Sequence, residues 1–207
     1  MILAIIAVGD DYINNCLKHL EKFKDSGYSI KVLTDKPESF KDYDVYHFKN
    51  QIFSYFEKIL FPLKLMVEFE SDVLYVDADW IQSIGGEFIK NFKGHNTFLY
   101  YTNWPYGDKF KDYPNNEYFK LFIEYLKSKN FNYDNLITIM EWVYYFPYNE
   151  NVKNIMKDVE MIKPIFEYIS VQSNNGYVGI GNGEGIGLSY VLEKNNIKIE
   201  LFKDIHV

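Results

Sequence analysis

Asp72-Val73-Leu74-Tyr75-Val76-Asp77-Ala78-Asp79 is the stretch on which the fold turns. A short apolar run rich in valine, bounded by acids, has the length and composition of a central strand buried on both faces, as parallel sheets require. Acids at i and i+2 point to opposite faces while a strand lasts. Just past its end the chain can turn and present both to one ligand, and small Ala78 leaves room between them for a diphosphate or a metal ion. A hard divalent cation takes carboxylate oxygens together with phosphate oxygens, which suits Asp77 and Asp79 to such a pair. The bland alternative is a solvated Asp-x-Asp loop, and the tripeptide alone does not separate the two.

Upstream, residues 2–8 form an apolar run stopped by Gly9-Asp10-Asp11, and Ile13, Leu17, Leu20 and Phe23 follow at helical spacing. Tyr28 to Leu33 reads as a second strand that ends at Thr34-Asp35 ahead of Pro37, and Asp44 to Phe48 as a third. Phe53 to Phe69 carries Phe56, Ile59, Leu60, Leu63 and Met66 at helical intervals, with a kink expected at Pro62. Strand, helix, strand, strand, helix, strand is the order of an α/β nucleotide-binding half-sheet, in which ligands sit beyond the carboxyl ends of the strands. Asp10, Asp35 and Asp77 all fall at such ends.

Downstream, Thr97 to Tyr101 and Trp142 to Phe146 read as strands, and Glu117 to Lys127 as a helix. Asn151 to Ile169 is a helix with a kink or break expected at Pro164. Tyr177 to Ile180 is expected to be a short strand entering a loop, Gly181-Asn182-Gly183-Glu184-Gly185, that opens the last helix. Ile197 to Phe202 closes the pattern as a strand. The expectation is a single compact α/β domain over residues 1–207, with a mixed, mostly parallel central sheet flanked by helices. Residues 1–80 would form a nucleotide-binding half and 81–207 an acceptor and catalytic half.

Composition narrows the function classes. A formal charge of -7 and a pI near 5.2 argue against nucleic acid as a partner, because phosphate backbones are bound by basic surfaces. Every basic side chain other than histidine is lysine, so phosphate recognition here relies on Lys, backbone N–H groups, hydroxyls or a metal ion. The single cysteine, Cys16, allows neither an internal disulfide nor a cysteine zinc cage. The apolar N-terminal run lacks a basic leader and meets Gly9-Asp10-Asp11 too soon for a signal peptide. No apolar run reaches the roughly 20 residues that span a bilayer, so no transmembrane segment is expected and the cytoplasm is the expected compartment. Oligomeric state is not legible.

Val73-Leu74-Tyr75-Val76-Asp77-Ala78-Asp79 resembles the strand and metal motif of GT-A glycosyltransferases, particularly retaining enzymes such as glycogenin and the bacterial lipopolysaccharide galactosyltransferases. Val32-Leu33-Thr34-Asp35 resembles the segment that meets the nucleoside in those enzymes, and Ala7-Val8-Gly9 its first-strand partner. Lys58 or Lys64 lies where family members place a basic residue near the donor. The resemblance covers roughly the first eighty residues in the right order. It implies a GT-A-like sheet, a nucleotide sugar as donor, most often a UDP-sugar, and a glycan or other hydroxyl acceptor. It further implies Mn²⁺ or Mg²⁺ bridging the pyrophosphate to Asp79, with Asp77 reaching the ribose, the metal or both. Val8, Gly9, Thr34, Asp35 and Ala78 would line the nucleotide.

Other members supply a late histidine as a further metal ligand, here His206, and a late acid beneath the anomeric carbon, here Glu184. The His-Asp that precedes that acid in the blood-group relatives is replaced by Gly-Asn-Gly. Otherwise Glu184 serves only the dipole of the helix it precedes, and His206 only a frayed terminus. An inverting reaction would instead need Glu141 or Glu184 as a general base. Trp80, Trp104, Tyr106 and Glu141-Trp142 lie where acceptor loops are expected, while His19, His47 and His95 read as structural or solvent-facing. Three alternatives compete: a nucleotidyltransferase or sugar-nucleotide pyrophosphorylase, a non-catalytic nucleotide-sugar-binding module, and, third, an Asp-x-Asp phosphatase.

Overall fold

The computed structural model describes residues 1–50, 52–101, 117–134, 136–137, 139, 142–173 and 182–202. Strand β1 (Ile2–Ala7) is buried at every position and leads into α1 (Asp10–His19), which tightens into a 3₁₀ segment, Leu20–Ser26, closed by Gly27 at φ 75°. Next come β2 (Ser29–Thr34), β3 (Asp44–His47), α2 (Glu57–Phe69) and β4 (Val73–Asp77). The rest is α3 (Gly86–Lys90), β5 (Phe98–Tyr101), α4 (Glu117–Ser128), β6 (Val143–Phe146), α5 (Val152–Ser173), α6 (Asn182–Lys194) and β7 (Ile199–Leu201).

The strands form one sheet in the order β3-β2-β1-β4-β6-β5-β7. Only β6, among the described strands, runs against its neighbours; β1 pairs in parallel with β2 and β4, and β5 with β7. This is the mixed, mostly parallel α/β sheet that the sequence predicts. Strand alternation sends Ile2, Ala4 and Ile6 to one face, packed with Leu63 and Met66 of α2 and Ile155 and Phe166 of α5. Leu3, Ile5 and Ala7 meet Ile13 and Cys16 of α1, Phe23, and Ile89 on the other. Each fully buried Ile or Leu is worth roughly 1.5–3 kcal/mol, so a strand covered on both sides is fixed in register by its whole sequence.

The chain moves outward from β1 through β2 to β3 and then returns to the other side of β1 as β4. The direction of winding therefore reverses between β1 and β4, and their carboxyl ends frame the crevice in which α/β sheets bind ligands.

Three expectations change. α5 is continuous through Pro164, so of the kink or break expected there the break is not found; the hydrogen bond lost at proline is outweighed by burial of Ile155, Val159, Ile162 and Phe166 along one face. α6 begins at Asn182, so Gly183-Glu184-Gly185 lies within its first turn and is not a loop ahead of it. The five-residue α3 has no counterpart in the sequence reading, being too short for periodicity to reveal. The strand expected over Tyr177 to Ile180 lies outside the described residues. No helix among the described residues is long and apolar enough to cross a membrane.

Candidate active site at the sheet switch point

β4 ends at Asp77 in a tight turn whose geometry is set by main-chain bonds. The Asp77 carbonyl accepts from the amides of Trp80 (2.9 Å) and Ile81 (3.2 Å), and the Asp77 amide donates to the carbonyl of Trp142 at 2.7 Å. Ala78 is fully buried and its carbonyl accepts from the Asn15 side chain at 2.6 Å, while Asp79 is left exposed. The register of the sheet places the neighbouring strand ends beside this turn, with Ile6 opposite Asp77 and Ala7 opposite Thr34. Val8 and Gly9 continue from β1 at the same edge. Gly9 has φ 93° and ψ 152°, a conformation that favours glycine, and its amide donates to Asp35 Oδ1 at 3.1 Å. Thr34 is buried, and its Oγ1 accepts from the Lys36 amide at 3.2 Å. Asp35 and Thr34 thus shape the loops around the crevice.

Behind Asp77 stands a buried ion pair: Lys58 Nζ lies 2.5 Å from Asp77 Oδ2, with the side chains only 13% and 10% exposed. Lys58 comes from the first turn of α2, which runs back down the sheet toward β4 and so starts at the carboxyl edge. The Tyr144 hydroxyl donates to the Lys58 carbonyl, and the Lys58 ammonium sits 5.2 Å from the Tyr55 ring. A buried pair gains little net stability, because desolvation offsets attraction, yet deleting one partner strands the other charge. Of the two lysines that the sequence offers, Lys58 belongs to this site and Lys64 does not; Lys64 lines a different cavity.

Glu184 comes from the opposite end of the sequence. α6 precedes β7, which is parallel to β5, so its first turn stands at the same carboxyl edge. Its side chain is 3% exposed, and among the described residues Oε1 has no hydrogen-bond partner. Burial pushes the carboxyl up to about 7; its own backbone N–H and Lys58 oppose the rise, and Asp77 and Glu167 add to it. Glu184 therefore stands in the field of both members of the Lys58–Asp77 pair. Asp79 is also held above the usual carboxylate range, first by partial burial and then by Asp77, against Lys58.

The sequence reading missed Tyr12 and Tyr55. Tyr12, 42% exposed in the first turn of α1, has its phenol raised first by Asp79, then by burial, Tyr55 and Asp77. The signal was its place three residues past Gly9, hidden in a chain that is 19% aromatic. Cys16, on the buried face of α1, is pushed up to about 12 by burial and then by Asp77 and Asp79. Trp80 and Trp142, both half-buried, stack at 4.8 Å with planes 17° apart, and Tyr101 meets Trp80 edge-on. His95 accepts its structural reading: Nε2 lies 3.1 Å from the Asn91 carbonyl and the ring packs on Tyr145 and Phe202. Glu141, Trp104, Tyr106 and His206 lie outside the described residues.

Among the described residues, no group of three or more His, Cys, Asp or Glu side chains is placed to hold a metal ion. Asp77 and Asp79 supply two hard oxygen donors, one open to solvent and one held by Lys58. That set fits a cation bound by one or two carboxylates and completed by substrate phosphates, and does not fit an all-protein cage.

No protein-family model matches the sequence, and no curated protein matches it. Among solved structures, the chain is similar to 4-diphosphocytidyl-2C-methyl-D-erythritol synthase from Anaerococcus prevotii, at 14% identity and a TM-score of 0.49 over 100% of this chain and 90% of that one. It is similar to the galactosyltransferase LgtC in complex with donor and acceptor sugar analogs, at 11% identity and a TM-score of 0.48 over 92% of this chain and 70% of that one. A third likeness is to mouse xyloside xylosyltransferase 1 in its apo form, at 8% identity and a TM-score of 0.43 over 98% and 84%. Likenesses this distant say nothing about chemistry, which has to come from the residues at the switch point.

Proposed function

We propose that the chain is a metal-dependent glycosyltransferase of the GT-A type, moving a hexose from a UDP-sugar, UDP-glucose by default, to a glycan or other hydroxyl acceptor with retention. One observation carries this reading: exposed Asp79, the buried Lys58–Asp77 pair and buried, half-satisfied Glu184 converge on the carboxyl edge where the sheet reverses its winding.

Asp79, with Asp77, would hold Mn²⁺ or Mg²⁺, which when bound supplies Lewis acidity toward the leaving diphosphate. Lys58 fixes the Asp77 carboxylate and adds positive charge to an otherwise acidic crevice. Gly9, Val8 and Thr34-Asp35 frame the place for the nucleoside. Glu184 is the group assigned to the sugar: with its carboxyl near neutrality, it is divided between acid and anion at pH 7, and as the anion it opposes positive charge developing at the anomeric carbon. The acidic Val8-Gly9-Asp10-Asp11 loop, whose glycine amide is already engaged by Asp35, weighs against a triphosphate-binding nucleotidyltransferase.

The test is UDP release from UDP-glucose with Mn²⁺, with and without simple sugar acceptors, on the wild type, Asp79→Ala and Glu184→Gln. Cation-dependent release lost in both variants supports the transferase. Binding without turnover for every nucleotide sugar leaves a binding module, and pyrophosphate release from a nucleoside triphosphate replaces it with the nucleotidyltransferase. The anomeric configuration of the product, read by NMR, decides between retention and inversion.

A further inference from the structure

Lys64 remains unexplained by the site. It lines a separate cavity of about 560 Å³ between α2 and the end of β3, at the outer edge of the sheet. That volume lies within the roughly 300–1,000 Å³ of small-molecule sites. Its floor is apolar, made of buried Leu33, Phe48 and Phe61. Its rim carries His47, Lys49, Asn50, Lys64 and Glu68, all exposed.

The charges around this cavity are unevenly engaged. Glu57 is tied to Lys163 at 3.3 Å, and both oxygens of Glu68 accept from the Tyr46 hydroxyl at 3.1 Å. Lys64 stands four residues before Glu68, a spacing at which helical ion pairs form, but that pair is absent here. Among the described residues, neither Lys49 nor Lys64 has a hydrogen-bond or ion-pair partner. Glu57 is neutralised by Lys163, whereas Glu68 is hydrogen-bonded to a neutral phenol and keeps its charge; two unpaired ammonium groups against that one carboxylate leave the lining net positive, with donors above an apolar floor. Lys ammonium groups only donate, which selects an acceptor-rich anion. A phosphate monoester carries about −1.5 to −2 charges at neutral pH and matches two lysines better than a carboxylate does. In a chain without arginine, lysine is the side chain left for that task.

We propose that this cavity binds a small phosphomonoester with an apolar face, such as a sugar phosphate, its phosphate on Lys49 and Lys64 and its body over Phe48 and Phe61. The site is separate from the transferase reading: Leu33 alone of its lining belongs to the segment given to the nucleoside, and none of Lys58, Asp77, Asp79 and Glu184 lines it.

The test is calorimetric titration of the full chain, in chelator, with glucose 1-phosphate, inorganic phosphate and glucose, on the wild type, Lys49→Ala/Lys64→Ala and Asp79→Ala. Glucose 1-phosphate should bind the wild type and Asp79→Ala alike, and should weaken about tenfold for each lysine removed. Inorganic phosphate should bind more weakly, and glucose not at all. Both lysines are exposed, so the double variant should keep its thermal midpoint. Binding that survives in the double variant, disappears in Asp79→Ala, or fails for both phosphates at about 10 mM would overturn the proposal. Equal affinity for inorganic phosphate would overturn the role of the apolar floor. A UDP titration with Mn²⁺ on the same samples reports the switch-point site separately, so failure of one reading leaves the other standing.

Discussion

Replacing Glu184 by Gln should stabilise the protein at alkaline pH and leave it nearly unchanged in acid. The native carboxyl titrates near 7 against an ordinary value of 4.5, because it is buried with one oxygen unpartnered. Raised in the folded state, the group stabilises the fold fully below the unfolded value, and that contribution is lost as pH rises through about 7. At 1.36 kcal/mol per pKa unit the whole span is worth about 3 kcal/mol. Between about pH 5 and pH 8 the loss is about 2.5 kcal/mol. Gln keeps the neutral shape and has no charge to bury, so the difference in unfolding free energy between Gln and Glu should rise by that amount over the same interval. Urea denaturation of both proteins in chelator, at several pH values, measures it, and titrating groups remote from residue 184 cancel in the difference. A difference that stays flat with pH would show that Glu184 is not held buried and unpaired, and the reasoning about the site would fail with it. The same variant should lose transfer, since a residue kept at a cost to stability is one retained for function.

Other outcomes follow from neighbouring residues. Lys58→Met should destabilise the protein by about 3–5 kcal/mol, because it strands the buried Asp77 carboxylate, and the double variant Lys58→Met/Asp77→Asn should recover much of that loss; chemical denaturation of the full cycle reads it. Gly9→Ala should cost about 1–3 kcal/mol in a thermal melt, since φ 93° strains any side chain even though the nearest atom to a Cβ there is Tyr12 Cδ2 at 3.9 Å. The same change should weaken nucleotide binding, because the loop held by Asp35 must move.

Much of this fold was legible because the central strands are short and buried on both sides. β1, β2 and β4 announce themselves as apolar runs ending in Gly9, Asp35 and Asp77-Ala78-Asp79. A break at Pro164 was open in the sequence because local propensity takes no account of the α2, α4 and α6 contacts that carry α5 through it. Glu184 looked like a loop residue for a similar reason: three glycines lower helix propensity, yet Gly187 lets α6 approach until a Cβ there would lie 3.1 Å from the Phe56 ring, so packing sets where the helix starts. Lys58 and Lys64 could not be told apart in one dimension. Six residues apart, they stand about 120° apart around α2, and only the sheet decides which faces Asp77 and which the outer cavity. Composition hid Tyr12 and Tyr55, since nothing in a list of nineteen tyrosines marks the two that border the acids.

The most direct measurement is calorimetric titration of UDP and UDP-glucose, with and without Mn²⁺, into the wild type and Asp79→Ala. Binding that requires Mn²⁺ and is lost in Asp79→Ala is the predicted result. Binding that is equal with and without the cation, or unchanged by the substitution, would contradict the assignment of Asp77 and Asp79 to a nucleotide-sugar diphosphate.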